Sequence, residues 1–224
     1  AYHGVEERIL DPRIQTLHLP LPLFESHIRY LAGHFEVISC PDLHQRLREG
    51  RGLDGRQVLV TFDDGYRNNR TVVQPLMESL GLPFSIFVCT DFVGTDRRLP
   101  TYLLRAAIHL TEARQAHLES LDLSLDLRDD EARSRAVQEV SRRLKASPQV
   151  LVRRVLEDLR GLLSEERWSE VDGRFASDGL LSWEEMVLMR DEGVTVGSHG
   201  KGHVILHARQ ELDLVHDQIG GSRR

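Results

Sequence analysis

Two short stretches hold residues whose types and spacing could do chemistry. The first is Thr61-Phe62-Asp63-Asp64-Gly65-Tyr66. Adjacent carboxylates are unfavourable at one point unless a divalent cation or a shared proton makes use of their charge. Gly65 permits the sharp exit that lets both approach one cavity. Asp-Asp-Gly is also good turn chemistry on any surface, so by itself this stretch leaves a type I turn open. The second is His199-Gly200-Lys201-Gly202-His203. Imidazoles four residues apart can face one point, and neutral imidazole is a good ligand for zinc-like ions. With eleven histidines in the chain the spacing alone is weak, and His207 extends it to a third position. Position says more: the pair follows a short apolar run and is flanked by Gly197, Gly200 and Gly202, which is loop sequence. One carboxylate with two histidines leaves positions open for water and substrate, the pattern of a catalytic metal site. Such an ion would acidify water and polarise a carbonyl oxygen. A second carboxylate beside the ligand could then accept the water's proton.

These loops need elements to position them. Gln57 to Phe62 is a compact apolar run of the kind buried on both faces of a parallel sheet, and it leads straight into Asp63-Asp64. Reactive groups in such folds gather at the C-terminal ends of strands. Leu23 to Phe35 is predicted helical from Phe24, Ile28 and Leu31, and Phe35 to Cys40 is a short β-rich run ended by Pro41. A helix is expected over 71–80, stopped by Gly81 and disturbed by Pro75, and a buried strand over 84–89. Ser182-Trp183-Glu184-Glu185 is a capping box opening a helix that Gly193 ends. Val194 to Val196 is a strand with His199 just past its tip, and a last helix near 208–219 places Leu212, Val215 and Ile219 on one face. The pattern is α/β.

Between these parts the chain changes character. From about 91 to 178 it is rich in Arg, Glu, Leu and Ala, with helical segments expected near 101–116, 130–146 and 148–164. Leu121 to Leu127 alternates strictly, as a half-exposed strand or hairpin arm does. The division expected is an α/β body over 1–95 and 178–224 with a mainly helical insertion over 96–177. Trp168 and Tyr102 are expected to pack in the core or rim rather than stack on a ligand.

Bulk composition excludes several classes. A net charge of −6 argues against a nucleic-acid surface, and no run approaches the ~18 apolar residues of a membrane span. Cys40 and Cys89, each ending an apolar run, exclude a disulfide framework and leave one isolated bridge open. The first residue is Ala1, no signal peptide is visible, and the compartment stays open.

Thr61-Phe62-Asp63-Asp64-Gly65-Tyr66, together with Gly197-Ser198-His199, His203 and Leu206, resembles the first two motifs of the polysaccharide deacetylases, carbohydrate esterase family 4. Tyr2-His3-Gly4-Val5 is similar to that family's opening strand end, and Ser182 to Glu185 to the helix before its histidine motif. The resemblance covers roughly 1–95 and 178–224. It implies a distorted (β/α) barrel, here incomplete at its C-terminus, with the site at the strand ends. It implies Asp63 as general base, and Asp64, His199 and His203 as ligands of a divalent metal, most often Zn²⁺. The backbone N–H of Tyr66 would hold the oxyanion. The implied substrate is an N-acetylated glycan, from which acetate is released by amide hydrolysis.

This sequence departs from the family pattern in three places. Gly200 stands where the family has Ser or Thr, which predicts a looser loop with intact ligation. The gap from Asp64 to His199 is long, which the insertion explains. The later motifs, an Arg that orients the base and a His that protonates the leaving amine, are absent, so the sequence is expected to be a piece of a longer enzyme. His207 and His216 are expected on helix surfaces. The alternatives are a hydrolase of another amide or cyclic imide on the same fold, and a non-catalytic glycan-binding relative.

Overall fold

The computed structural model describes residues 1–223. β1 (Gly4–Glu6) lies parallel to β2 (His18–Pro20). α1 (Leu21–His34) follows at once, with Pro22 in its first turn, where a missing N–H costs nothing. It buries Phe24 and Ile28, two of the three residues that mark it in the sequence. β3 (Glu36–Val37) is shorter than the run predicted over 35–40 because Ser39 caps a further helix, α2 (Cys40–Arg48). Ser39 Oγ accepts the Asp42 N–H at 3.1 Å and the Asp42 carboxylate accepts the Ser39 N–H at 3.1 Å. Pro41 therefore begins a helix as well as ending a strand.

The single strand expected over 57–62 is divided. β4 (Gln57–Val58) pairs with β3, whereas β5 (Thr61–Phe62) pairs with β6 (Ser85–Val88). Between β5 and β6 the expected helix opens as a π-turn over Asn69–Val73 and tightens into α3 (Gln74–Ser79). Pro75 lacks the N–H that a regular helix would use, and the widened turn just ahead of it accommodates that loss. Gly81 leaves the helix with a φ of +63°, as its position predicts.

α4 (Pro100–Leu110) and the antiparallel pair β7 (Gln115–Leu118) and β8 (Leu123–Asp126) follow. Then come α5 (Asp130–Lys145), α6 (Gln149–Arg160) and α7 (Glu165–Arg174). α7 is a helix the sequence reading did not separate; Ser164 caps it through the Arg167 N–H at 3.2 Å. α8 (Trp183–Asp191) starts at Ser182 with both halves of the predicted capping box made. It leads to β9 (Thr195–Ser198) and finally α9 (Leu212–Gly220). In α9 two residues of the expected apolar face, Leu212 and Ile219, are exposed and Val215 is half-buried, while Gln218 is the buried residue.

The fold is mixed α/β. β5, β6 and β9 form a parallel three-stranded sheet, and Tyr2 bridges to Phe62 at its edge. With the separate pairs β1–β2 and β3–β4, the described residues make parallel pieces and no closed barrel. Buried apolar side chains fall into two main clusters. One, built on Phe24, Ile28, Phe62, Met77 and Ile86, lies under the parallel strands. The other joins Tyr102, Ile108, Leu159, Trp168 and Phe175 from the helical region with Ile14. Tyr102 and Trp168 are thus core residues, and the Trp168 indole N–H donates to the Arg160 carbonyl at 2.9 Å. Both cysteines are free. Among the described residues no helix is long and apolar enough to cross a membrane.

Candidate active site

β5, β6 and β9 end side by side, and the two motif loops leave from β5 and β9. His199 N–H donates to the Val88 carbonyl at 2.8 Å, continuing the β6–β9 ladder one residue past β9. Asp63 N–H donates to the Tyr2 carbonyl at 2.9 Å, which pins the other loop to the N-terminal segment. Residues about 135 positions apart in sequence therefore meet at one sheet end.

Asp64 is 2% exposed. Its Oδ1 lies 3.3 Å from His203 Nε2 and 3.6 Å from His199 Nε2, yet it has no hydrogen-bond partner. A buried carboxylate oxygen without a partner is costly. Two donors bound to one tetrahedral zinc at about 2.0–2.1 Å stand roughly 3.3 Å apart. The two Asp64–imidazole separations match that spacing, whereas the donor atoms that all lie close to one another are those of Asp64, His203 and Cys89, with His199 outside that group. Burial works to raise the Asp64 carboxyl, but the imidazoles of His203, His3 and His199 outweigh it and hold the group below the usual carboxylate range. A ligand that stays ionised at neutral pH is what a metal site needs.

The backbone is strained at the same residues. Asp64 and His203 adopt φ of +74° and +53°, the left-handed region that side chains other than glycine rarely enter. Gly65 continues the turn at φ +81°, and a Cβ there would lie 2.8 Å from Val88 Cγ1. Glycine is required by conformation and by space together. Asp63 is half-buried on the same turn. Tyr66 is buried, its ring edge-on to His18 with centroids 4.6 Å apart. Burial, with Asp64 nearby, pushes its phenol far above the usual range, so the hydroxyl stays protonated.

The histidine loop is held more firmly than Gly200 alone predicts. Gly200 sits at φ +84°, which accounts for glycine in place of a hydroxyl residue. Ser198 Oγ accepts the Gly200 N–H at 3.0 Å. The carbonyls of Gly200 and Lys201 accept the N–H groups of Thr90 and Asp91 at 3.2 and 2.9 Å. From α9, buried Gln218 accepts the Gly202 N–H at 2.7 Å. The expected looseness is therefore replaced by a different set of braces.

Several neighbours went unrecognised in the sequence. Cys89 stands beside Asp64 and His203 within a group of potential ligand atoms. Burial, then the carboxylates of Asp64 and Asp63, pushes its thiol far above the usual range, and Sγ donates to the His199 carbonyl at 3.7 Å. It is a protonated floor under the loop. Asn69 ties the Asp loop to the His3 carbonyl at 2.8 Å. Cys89 had only its burial as a signal, and Gln218 only its place in an otherwise apolar stripe. His207 lies in a loop, not on a helix, with Nε2 3.3 Å from the Ser147 carbonyl; His216 is exposed on α9, as expected. A cavity of about 710 Å³ opens beside His199 and His203, walled by Val204, Ile205, Leu206 and Ile219.

A buried aspartate facing two loop histidines at the ends of parallel strands defines a class: an α/β protein with a carboxylate–histidine cluster at one sheet end. Comparison with known proteins narrows this. Residues 50–222 match the family model described as polysaccharide deacetylase, and the chain belongs to that family. A curated relative, "Putative polysaccharide deacetylase YxkH" of Bacillus subtilis (strain 168), is 23% identical over 112 residues, 50% of this chain and 36% of the relative. The structure of the Streptococcus pyogenes deacetylase PplD in complex with acetate is similar over 99% of this chain and 63% of that one, with 12% identity and a TM-score of 0.52. That of a de-N-acetylase from Aggregatibacter actinomycetemcomitans matches 89% of this chain and 52% of its own, with 15% identity and a TM-score of 0.42. The match thus spans about a third of the curated relative and less than two thirds of either structure.

Proposed function

We propose that this chain carries the metal-binding part of a hydrolase that removes acetyl groups from N-acetylated sugars of a glycan. The observation that carries the reading is the partnerless, buried Asp64 Oδ1 facing the Nε2 atoms of His203 and His199. Asp64, His199 and His203 would hold a divalent ion, Zn²⁺ by preference for a mixed nitrogen and oxygen donor set. When bound, that ion supplies Lewis acidity toward a carbonyl oxygen and toward water.

The chain's own residues do the rest. Asp63, beside the ligand and half-buried, takes a proton from the attacking water. The water oxygen bonds to the acetamido carbon, and the carbonyl oxygen becomes an oxyanion. The Tyr66 N–H, held next to Gly65 on the turn, donates to that oxyanion. Collapse breaks the C–N bond; acetate departs, and the sugar nitrogen takes up the proton that Asp63 removed from the water, leaving the free amine on the sugar. The 710 Å³ cavity beside the two histidines is large enough for a sugar unit and lies open to a polymer.

The parallel pieces are read as sectors of the distorted (β/α) barrel that family membership suggests, and 96–177 as an insertion with its own apolar core, to which Ile14 is added from the body. The separating experiment uses Asp63→Asn and Asp64→Asn in the full-length protein, with zinc content and acetate release from an N-acetylglucosamine oligomer both measured. Asp63→Asn is expected to retain zinc and lose activity by about 10²–10⁴-fold. Asp64→Asn is expected to lose zinc. Zinc loss in Asp63→Asn instead would exchange the two roles, and undiminished acetate release after chelation would refute the reading.

A further inference from the structure

A second group of ligand atoms lies behind the Asp loop. Glu6 on β1, His18 on β2 and Asp178 just before α8 are 7%, 8% and 4% exposed, and their side-chain atoms converge. His18 Nδ1 is 3.5 Å from Glu6 Oε1 and 3.6 Å from Asp178 Oδ1. Both separations exceed ordinary hydrogen-bond length. His18 Nδ1 is fully buried, aimed between the carboxylates, and has no hydrogen-bond partner.

The surroundings orient these groups. Gly4, paired with His18 across β1–β2, leaves the space its ring occupies: a Cβ there would meet the ring at 2.6 Å. Asn68 donates to Glu6 Oε1 at 2.7 Å, and Gln15 donates to Asp178 Oδ1 at 2.7 Å. The oxygens that face His18 are thus each fixed by a buried amide, as carboxylates around metal ions commonly are. Among the described residues neither Glu6 nor Asp178 forms an ion pair with a lysine or arginine. Two carboxylates buried together need a counter-charge.

We propose that Glu6, His18 and Asp178 form a second divalent-cation site, structural in role, taking an ion of the Zn²⁺ and Mn²⁺ class. The donor separations of 3.5 and 3.6 Å are close to the roughly 3.3–3.4 Å between ligands of one tetrahedral ion. One imidazole nitrogen with two carboxylate oxygens favours borderline ions over Ca²⁺. The ion would join the N-terminal strand pair to the segment entering α8. Through the His18–Tyr66 ring contact it would also brace the Asp loop from behind. The site does not depend on the first one being a zinc centre.

The test uses the full-length protein carrying His199→Ala and His203→Ala, so that the front site is disabled. After chelation and dialysis against zinc chloride, about one zinc per chain is expected by elemental analysis, with a raised melting temperature. Adding Glu6→Gln or Asp178→Asn, whose shapes are conserved, is expected to remove that zinc while circular dichroism stays native. Manganese chloride is expected to bind more weakly than zinc, and calcium chloride not at all. The proposal is overturned if the background protein takes up no zinc, if its zinc survives Glu6→Gln and Asp178→Asn, or if calcium binds as tightly as zinc. It is also overturned if nitrogen-15 spectra in excess zinc show protons on both His18 ring nitrogens, because His18 would then be the buried counter-charge itself.

Discussion

Gly65→Ala isolates the geometry that places Asp64. Gly65 lies at φ +81°, and the added methyl would stand 2.8 Å from Val88 Cγ1 and 3.1 Å from Val88 Cβ. The left-handed backbone costs an alanine about 1–2 kcal/mol. Forcing a methyl into a packed wall adds about 1–3 kcal/mol. The expected loss is about 2–5 kcal/mol. Gly81 supplies the control, because it has φ +63° but nothing within 4 Å of its would-be Cβ. Gly81→Ala should therefore cost only the backbone part, about 1–2 kcal/mol. Val88→Ala removes the clashing atom, so the Gly65→Ala/Val88→Ala double variant should recover about 1–3 kcal/mol relative to additivity. Urea unfolding followed by circular dichroism measures all four proteins, and zinc titration of each reports whether the Asp loop has moved. Equal losses at positions 65 and 81, or no coupling to Val88, would refute the claim that close approach to β6 fixes the turn.

Other perturbations follow from single contacts. Gln218→Leu removes the acceptor for the Gly202 N–H, so zinc should bind roughly 10-fold more weakly by competition with a chromogenic chelator; unchanged affinity would mean that the other braces suffice. Ser182→Ala breaks the capping box of α8 and should cost about 1 kcal/mol in urea unfolding, against nearly nothing for Ser134→Ala, whose hydroxyl donates to the Asp130 carbonyl on the solvent side of α5. Trp168→Ala empties the helical core and removes the shorter of two hydrogen bonds to the Arg160 carbonyl, for a loss of about 3–5 kcal/mol. The Arg13 guanidinium holds the buried Asp11 carboxyl below its usual range. That stabilisation is present above the ordinary carboxylate range and is lost as pH falls through it. Asp11→Asn should accordingly flatten the fall in stability between about pH 5 and pH 2, and an unchanged slope would sink the assignment.

The sequence by itself determined the local grammar and the family. Phe24 and Ile28 marked the buried face of α1, Ser182 and Glu185 marked the start of α8, and the Asp63-Asp64 and His199–His203 loops marked the candidate site. Each depends on neighbours a few residues away, whose spacing is written in the chain. Periodicity reached its limit where the signal is non-local. The run over 57–62 reads as one strand, but it is split because its halves pair with different partners, β3 and β6. Leu212, Val215 and Ile219 read as one apolar face, yet Gln218 is what α9 buries, where it accepts a loop N–H from Gly202. Only the tertiary structure decided that Asp64 Oδ1 would be shut away from solvent facing two imidazoles, and that Cys89 would lie beside them. Only it brought Glu6, His18 and Asp178 together. Those meetings join residues from 12 to about 170 positions apart, and a side chain's local sequence carries no record of which distant strand will lie beside it.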